Sequence, residues 1–248
     1  MAKKKKDKKG FFITGTDTGV GKTYIAAALI RLLKGMGLRV GAMKPFESGC
    51  LGDTAPADGA FLKEMAEMEE PLNEVVPYTF KAPLAPITAA ALEGTSIDMN
   101  KVKSGFERLG KKYDAVIVEG IGGLLVPISG DHCNCIGRDS GYYVLDLALE
   151  LGLPLVVVAR PSLGTINHTL LTLRCALEAR AEVAGVVINH QCPASSEGIA
   201  ERTSPSAIES LSPVPLIGEF PFVDLPSAQA IEDAARKSLD TSLLKKFL

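Results

Sequence analysis

Near its N-terminus the chain reads Gly15-Thr16-Asp17-Thr18-Gly19-Val20-Gly21-Lys22-Thr23, after an apolar run at residues 11–13 and before a helix-like segment at residues 24–33. This order predicts a strand, a phosphate-binding loop and a helix, because glycines let the backbone approach an anion and a helix N-terminus attracts it. Lys22 is placed to reach the β- and γ-phosphates of a nucleotide, and Thr23 to hold Mg²⁺. The leading glycine stands one residue further back than the usual spacing requires, so the loop is a lengthened variant.

The composition favours a single globular domain. The 248 residues are 46% apolar and carry a net charge of −2, with no shift in composition that divides the chain. We therefore expect one domain at residues 11–248, preceded by a basic, flexible tail at residues 1–10. The charge argues against nucleic acid as a partner, and no apolar run approaches the ~20 residues that span a membrane. Since no targeting signal is visible, the expected location is the cytoplasm.

The cysteines predict neither a disulfide framework nor a metal site. Their number is five, which is odd, and no export signal is apparent, so reduced thiols are expected. The stretch Asp131-His132-Cys133-Asn134-Cys135 has metal-ligand residue types, but no second Cys/His pair stands at a supporting distance. We interpret this stretch as a polar loop.

Short β-rich runs, most of them continuously apolar, alternate with helix-like segments along the rest of the chain. The runs are at residues 39–43, 115–118, 155–159, 184–188 and 216–220, and the helical segments at 61–67, 102–109, 143–151 and 166–179. Continuous rather than alternating runs indicate strands that are covered on both faces. The predicted fold is therefore α/β, with a mostly parallel central sheet flanked by helices, as in P-loop nucleoside triphosphatases. Ligands of such sheets collect beyond the carboxyl ends of the strands.

Charged side chains follow two of these runs directly. Lys44 comes after residues 39–43, where it is suited to neutralise an anion that accepts a phosphoryl group, although a solvated strand end has the same pattern. Glu119 comes after residues 115–118, where phosphate-loop proteins hold Mg²⁺. Ser48 adds a hydroxyl that we expect one turn after Lys44.

Two further residues have two interpretations each. Asp58 precedes the helical segment 61–67 and serves either as a second metal carboxylate or as an N-cap. Asn189 follows residues 184–188 and suits either the edge of a nucleobase or an ordinary turn. The residue types alone leave both alternatives open.

Six stretches taken together are more specific than any one motif. They are residues 14–23, Lys44-Pro45-Phe46-Glu47-Ser48-Gly49, Pro77-Tyr78-Thr79-Phe80, Val118-Glu119-Gly120-Ile121-Gly122-Gly123, Gly164-Thr165-Ile166-Asn167-His168 and Gly218-Glu219-Phe220-Pro221. In these stretches, and over nearly its whole length, the chain resembles the dethiobiotin synthetases, ATP-dependent ligases that close the ureido ring in biotin synthesis. The lengthened phosphate loop is typical of that family.

The resemblance implies a reaction and a set of roles. Its substrates are 7,8-diaminononanoate and CO₂, which give a carbamate that takes the γ-phosphoryl group of ATP as a mixed anhydride, before the second amine closes the ring. Lys22 and Lys44 then stabilise the phosphates and the carbamate. The implied ligands of Mg²⁺ are Thr23, Asp58 and Glu119.

The resemblance also implies where each substrate binds. The phosphate side is lined by Thr18, Gly19, Val20, Gly21, Lys22, Thr23, Tyr24, Glu119, Gly120, Ile121 and Gly122, and the adenine side by Asn189, His190, Pro221, Phe222 and Val223. Ser48 contacts the diamine. The segment Gly164 to His168 has two interpretations of its own: a helix N-terminus that binds the carboxylate of the substrate, with Gly164 and Asn167 as the binding residues, or an ordinary helix start. In the family this last region lies at a homodimer interface, so a homodimer with active sites near the interface is expected.

Two departures and three alternatives remain. Residues 128–146 are longer than in compact members of the family, and position 19 is glycine where some members carry an acidic residue. A partitioning ATPase usually has a second lysine early in the loop, and residues 16–18 offer none. An amidating ligase of the cobyrinic-acid type would need a glutaminase, for which no cysteine elbow exists. A non-catalytic ATP-binding protein would not require Lys44 and Ser48.

Overall fold

The computed structural model describes residues 9–50, 56–130, 141–193 and 198–248. Its strands are β1 (Gly10–Gly15), β2 (Val40–Met43), β3 (Phe46–Ser48), β4 (Tyr78–Phe80), β5 (Ala115–Glu119), β6 (Pro127–Ser129), β7 (Tyr142–Tyr143), β8 (Leu155–Ala159), β9 (Val183–Asn189) and β10 (Leu216–Phe220). Its helices are α1 (Lys22–Lys34), α2 (Ala57–Ala66), α3 (Leu72–Val75), α4 (Pro86–Glu93), α5 (Met99–Lys112), α6 (Val144–Leu151), α7 (Thr165–Glu178), α8 (Ile199–Leu211), α9 (Ala228–Ser238) and α10 (Thr241–Lys245).

Within these ranges, six strands form one parallel sheet in the order β10-β9-β8-β1-β5-β2. Every residue of β1, β2, β5 and β8 is buried, because α1 and α5 pack on the β2–β5 side while α7 packs against β8 and β9. All six strands coincide with the predicted apolar runs. The predicted fold class is therefore confirmed.

The strand register places the predicted site residues at one edge of this sheet. In β1, Ile13 pairs with Glu119 of β5, and Gly15 pairs with Val158 of β8, so the phosphate loop leaves the sheet between two neighbours. Parallel strands end at the same edge, which brings the residues after β1, β2, β5 and β9 together. The helix that follows the loop, α1, is buried on nearly all sides because α2 and α9 cover it.

Helix α2 begins earlier than the sequence predicts. It starts at Ala57, with Pro56 at the N-cap position, so Asp58 lies in the first turn and is not the N-cap. The carboxylate of Glu47 accepts hydrogen bonds from the backbone N–H groups of Asp58 (3.0 Å) and Gly59 (2.9 Å) instead. Glu47 thus does the capping, and the Asp58 side chain is left for another role.

Several sequence-based predictions fall on residues that the structure does not describe, or are not tested by it. Most of the basic tail, the Asp131 to Cys135 loop and the centre of the 128–146 segment lie outside the described residues, and the domain boundaries stay a prediction. At the margins of that segment, β6 and β7 pair antiparallel. No helix in the described part of the chain is long and apolar enough to cross a membrane.

Candidate nucleotide and substrate site

A cavity of about 680 Å³ opens at the carboxyl edge of the sheet, between the phosphate loop, the β2–α2 region and the segment after β10. All of the predicted site residues line it except Val20, Gly120, Gly164 and Asn167. Val20 and Gly120 are buried behind the wall. The cavity therefore brings together the predicted phosphate, metal and adenine residues.

The phosphate loop has the conformation that its glycines permit. Gly19 and Gly21 have φ values of 73° and 87°, a region that other residues rarely adopt. The Gly15 N–H donates to the carbonyl of Gly122 (3.3 Å), which ties the start of the loop to the segment after β5. No described residue accepts a hydrogen bond from the N–H of Val20 or Gly21. Since Gly21 lines the cavity, its N–H and the N-terminus of α1 form an anion site.

Lys44 is the centre of a buried charge cluster. Its Nζ lies 2.7 Å from Oδ2 of Asp58 and 2.5 Å from Oε1 of Glu119, and the Thr23 hydroxyl donates to the same Glu119 oxygen (3.0 Å). The side chains of Lys44 and Glu119 are only 5% and 1% exposed. Burial alone would lower the pKa of Lys44, but the two carboxylates more than offset it and raise that pKa. Lys44 is therefore an ammonium ion.

The same cluster fits a magnesium ion. Oε2 of Glu119 is buried and has no hydrogen-bond partner among the described residues, and burial raises the pKa of this carboxyl group. A hydroxyl at Thr23 and carboxylates at Asp58 and Glu119 are the oxygen ligands that Mg²⁺ prefers. Among the described residues, no three or more His, Cys, Asp or Glu are grouped so that they could hold a metal ion by themselves, but Mg²⁺ beside a nucleotide needs only one or two carboxylates.

Lys22 points back along its own loop. Its Nζ lies 3.4 Å from the carbonyl oxygen of Asp17, and burial lowers the pKa of Lys22 although Glu119 opposes the change. The loop continues outward through Asp17, whose carboxylate lies 3.5 Å from Arg160. Lys22 thus lies at the phosphate side of the cavity, as the sequence predicts.

Ser48 and Glu47 lie on a short strand rather than on a turn. Both belong to β3, where Ser48 pairs with Phe80 of β4, so the expected hydroxyl one turn after Lys44 is wrong in its local geometry. Ser48 nevertheless lines the cavity. Sequence reasoning missed Glu47, although it lies between Lys44 and Ser48 in a stretch that carries the resemblance.

The far wall of the cavity combines amides with apolar side chains. Asn189 donates its side-chain amide to the carbonyl of Val20 (3.0 Å), and His190 Nε2 lies 2.9 Å from Oε2 of Glu219. Phe222 and Val223 also line the cavity, and their place beside the adenine stays a prediction. Residues that the sequence analysis did not single out also contribute to the lining, and they are Glu47, Ala57, Phe61, Gln191, Phe220 and Pro226.

Gly164 and Asn167 lie outside the cavity lining. Gly164 is the N-cap of α7 with a φ of 93°, and Asn167 lies in the first turn of that helix. The neighbouring Leu163 is 88% exposed. Their role in binding a carboxylate stays a prediction.

Comparison with known proteins shows the family of this chain. The family described as "AAA domain" matches residues 9–230. The ATP-dependent dethiobiotin synthetase BioD of Thermodesulfovibrio yellowstonii is 42% identical over 96% of this chain and 98% of its own length. That of Bacillus licheniformis is 43% identical over 95% of both chains, and that of Bacillus subtilis strain 168 is 39% identical over 95% of this chain and 97% of its own. The chain belongs to the dethiobiotin synthetase family. The predicted ATP-dependent ligase is confirmed at the level of this family.

Solved structures share the fold at low identity. A ParA family ATPase from Chlorobium tepidum TLS has a TM-score of 0.51 and 18% identity, covering 97% of this chain and 98% of its own. The MinD cell division protein of Aquifex aeolicus has a TM-score of 0.52 and 16% identity, covering 92% and 96%. These likenesses show the fold alone. The family is shown by the relatives with similar sequences, and these ATPases do not bear on it.

Proposed function

We propose that this chain closes the ureido ring of dethiobiotin from 7,8-diaminononanoate and CO₂, with ATP and Mg²⁺. The observation that carries the proposal is Lys44, an ammonium ion buried between Asp58 and Glu119 within reach of the phosphate loop. A protein that only bound ATP would gain little from a buried cation outside the phosphate loop. A ligase needs one, because the group that accepts the phosphoryl is itself an anion.

The proposed reaction has three steps. One amine of the diamine adds to CO₂ and loses a proton, which gives the carbamate. A carbamate oxygen then bonds to the γ-phosphorus as the bond to ADP breaks. The second amine attacks the carbonyl carbon and loses a proton, and inorganic phosphate leaves with the oxygen that came from CO₂.

The residues contribute positioning and charge rather than covalent chemistry. The N–H groups of the loop and Lys22 bind the phosphates, and Lys44 neutralises the carbamate and the transferring phosphoryl group. Bound Mg²⁺ would supply further neutralisation of the phosphate oxygens, with Thr23, Asp58 and Glu119 as its protein ligands. Asn189 and the apolar wall of Phe222 and Val223 would receive the adenine.

The substrate side extends the proposal beyond the cavity. We place Ser48 beside the diamine, and Gly164 and Asn167 at the carboxylate, where the N-terminus of α7 favours an anion. Since these last residues lie outside the cavity, the homodimer that the resemblance implies would have to bring a partner's α7 to it. The exposed Leu163 and Leu171 (88% and 58%) support an apolar interface there. Light scattering on the purified protein measures the oligomeric state, and a monomer would contradict this part. A cytoplasmic location also stays a prediction.

The function is tested by measuring ADP release from the purified protein with ATP, Mg²⁺ and bicarbonate, with and without 7,8-diaminononanoate. Mass spectrometry identifies the organic product. We expect release of ADP that depends on the diamine, with dethiobiotin formed in equal amount. Hydrolysis of ATP that is indifferent to the diamine would instead support a nucleotide-controlled switch.

A further inference from the structure

The tip of the phosphate loop has open space around Gly19. Gly19 has a positive φ of 73°, and a Cβ built on it would meet no described atom within 4 Å. Gly21, two residues further on, is packed tightly, since a Cβ there would lie 2.0 Å from Nδ2 of Asn189. The loop is therefore open around Gly19 and closely packed against Asn189 at Gly21.

Two side-chain amides at the end of β9 donate hydrogen bonds to the loop tip. Asn189 donates to the carbonyl of Val20 (3.0 Å), and Gln191 donates to the carbonyl of Gly19. These two carbonyls are consecutive in the loop, and the two donors are alternate residues of one segment. The end of β9 thus holds the loop tip at two adjacent peptide groups.

The direction of a carbonyl fixes the direction of the next N–H. In a trans peptide the two groups point in opposite directions, so holding the carbonyls of Gly19 and Val20 toward β9 turns the N–H groups of Val20 and Gly21 away from it. No described residue accepts a hydrogen bond from either N–H, and Gly19 and Gly21 line the cavity. Gly21 lines the cavity, so its N–H is left for a ligand, whereas Val20 is fully buried outside the lining.

We propose that Gln191 is a positioning residue for the phosphates of the nucleotide. Its amide holds the Gly19 carbonyl, and so fixes the loop tip that presents the Gly21 N–H to the anion, without contacting the base. Gln191 was not predicted from the sequence, because its action depends on a loop 172 positions earlier in the chain. The inference deepens the proposed function, since it assumes that the cavity binds a nucleotide.

The test compares Gln191→Met with the wild type. Methionine has a similar length and no donor, so the variant removes the contact without adding a charge. Gln229→Met is the matched control, because Gln229 lies on α9 and donates to the neighbouring Asp233 (2.9 Å), far from the phosphate loop in the chain. Thermal unfolding should be alike in all three proteins, since Gln191 is exposed at the surface.

Calorimetry with Mg²⁺ and inorganic tripolyphosphate, and separately with adenosine, isolates the phosphate contribution. We expect Gln191→Met to weaken tripolyphosphate binding by about three- to tenfold, the factor for losing one hydrogen bond, with adenosine binding unchanged. In turnover, the KM for ATP should rise by the same factor while kcat stays within about twofold, as for an interaction that binds substrate and transition state equally. Gln229→Met should match the wild type throughout.

Three results would overturn the inference. Weaker adenosine binding with unchanged tripolyphosphate binding would make Gln191 a base contact. Equal tripolyphosphate binding in variant and wild type would mean that the contact has no consequence, and a wild type that does not bind tripolyphosphate would contradict the predicted anion site. These results differ from failure of the proposed function, in which the wild type binds phosphates but forms no dethiobiotin.

Discussion

Replacing Lys44 with methionine would separate the two tasks that the structure gives this residue. The methionine side chain fills a similar volume without charge, so Glu119 would remain buried without the ammonium that bonds it and with Lys22 as the cation left nearby, while Asp58 keeps solvent contact. Removing one partner of a buried pair costs about 3–5 kcal/mol, because the remaining charge is uncompensated. We expect the free energy of unfolding, measured without Mg²⁺ or nucleotide at neutral pH, to fall by about 3 kcal/mol.

The loss should depend on pH in a defined direction. Burial already raises the pKa of Glu119, and Lys44 opposes that rise, so the variant's carboxyl has a still higher pKa. A carboxyl group whose pKa is higher in the folded state destabilises that state as the pH rises from about 4.3, the unfolded value, through the folded pKa. The defect of Lys44→Met should therefore shrink on acidification toward pH 5. The double variant Lys44→Met/Glu119→Gln should recover most of the stability at neutral pH, since the unpaired buried carboxylate is removed.

Activity and stability together decide the outcome. Dethiobiotin formation by Lys44→Met should fall by at least about 10²-fold, the cost of losing one preorganised stabilising group, while ADP binding stays largely intact. Lys103→Met is the control, because Lys103 forms only a surface pair with Glu150 (3.2 Å) and its loss should cost under about 1 kcal/mol. If Lys44→Met unfolded at the same denaturant concentration as the wild type, the stabilising role of the buried pair would be refuted. Surviving product formation would refute the chemical role.

Further variants test the metal, the loop and a pair on the protein surface. Glu119→Gln should raise the Mg²⁺ concentration needed for turnover, and an unchanged Mg²⁺ titration would remove Glu119 from the metal site. Gly21→Ala should weaken ATP binding, because its Cβ would lie 2.0 Å from a neighbouring amide nitrogen at a φ of 87°, whereas Gly110→Ala on α5, with open space, should be neutral or stabilising by about 0.5–1 kcal/mol. Asp114, whose pKa is lowered to about 2 by hydrogen bonds from Arg39, should stabilise the fold above about pH 4 and lose this effect as the pH falls toward 2. The stability difference between wild type and Asp114→Asn, measured by denaturant unfolding, should vanish over that range, and a difference that persists at pH 2 would contradict the pairing.

The central sheet could be predicted because its strands are buried on both faces. Runs such as residues 155–159 and 115–118 are continuously apolar for that reason, and each coincides with a strand. The small sheet of β3 and β4 was missed, since its strands have three residues each and one of them contains polar Glu47. Short strands carry too little periodicity to be distinguished from loops.

The residues of the site could be predicted from the sequence, but the contacts between them could not. Strand ends and the resemblance placed Lys44, Asp58 and Glu119 together, yet neither indicates that the Lys44 ammonium bonds both carboxylates in the protein alone. Likewise Glu47 replaces Asp58 in capping α2 through contacts between residues eleven and twelve positions apart. Pairings of this kind depend on how separate elements pack, and a local pattern does not encode them.

The claim that CO₂ becomes the acceptor of the phosphoryl group is tested most directly with bicarbonate labelled with ¹⁸O. Product and phosphate are collected before the label exchanges with water, and the ¹⁸O content of each is measured by mass spectrometry. The account predicts one ¹⁸O in each phosphate released and one in each ureido carbonyl, since the bridging oxygen of the anhydride leaves with phosphorus. Unlabelled phosphate released alongside dethiobiotin would contradict it.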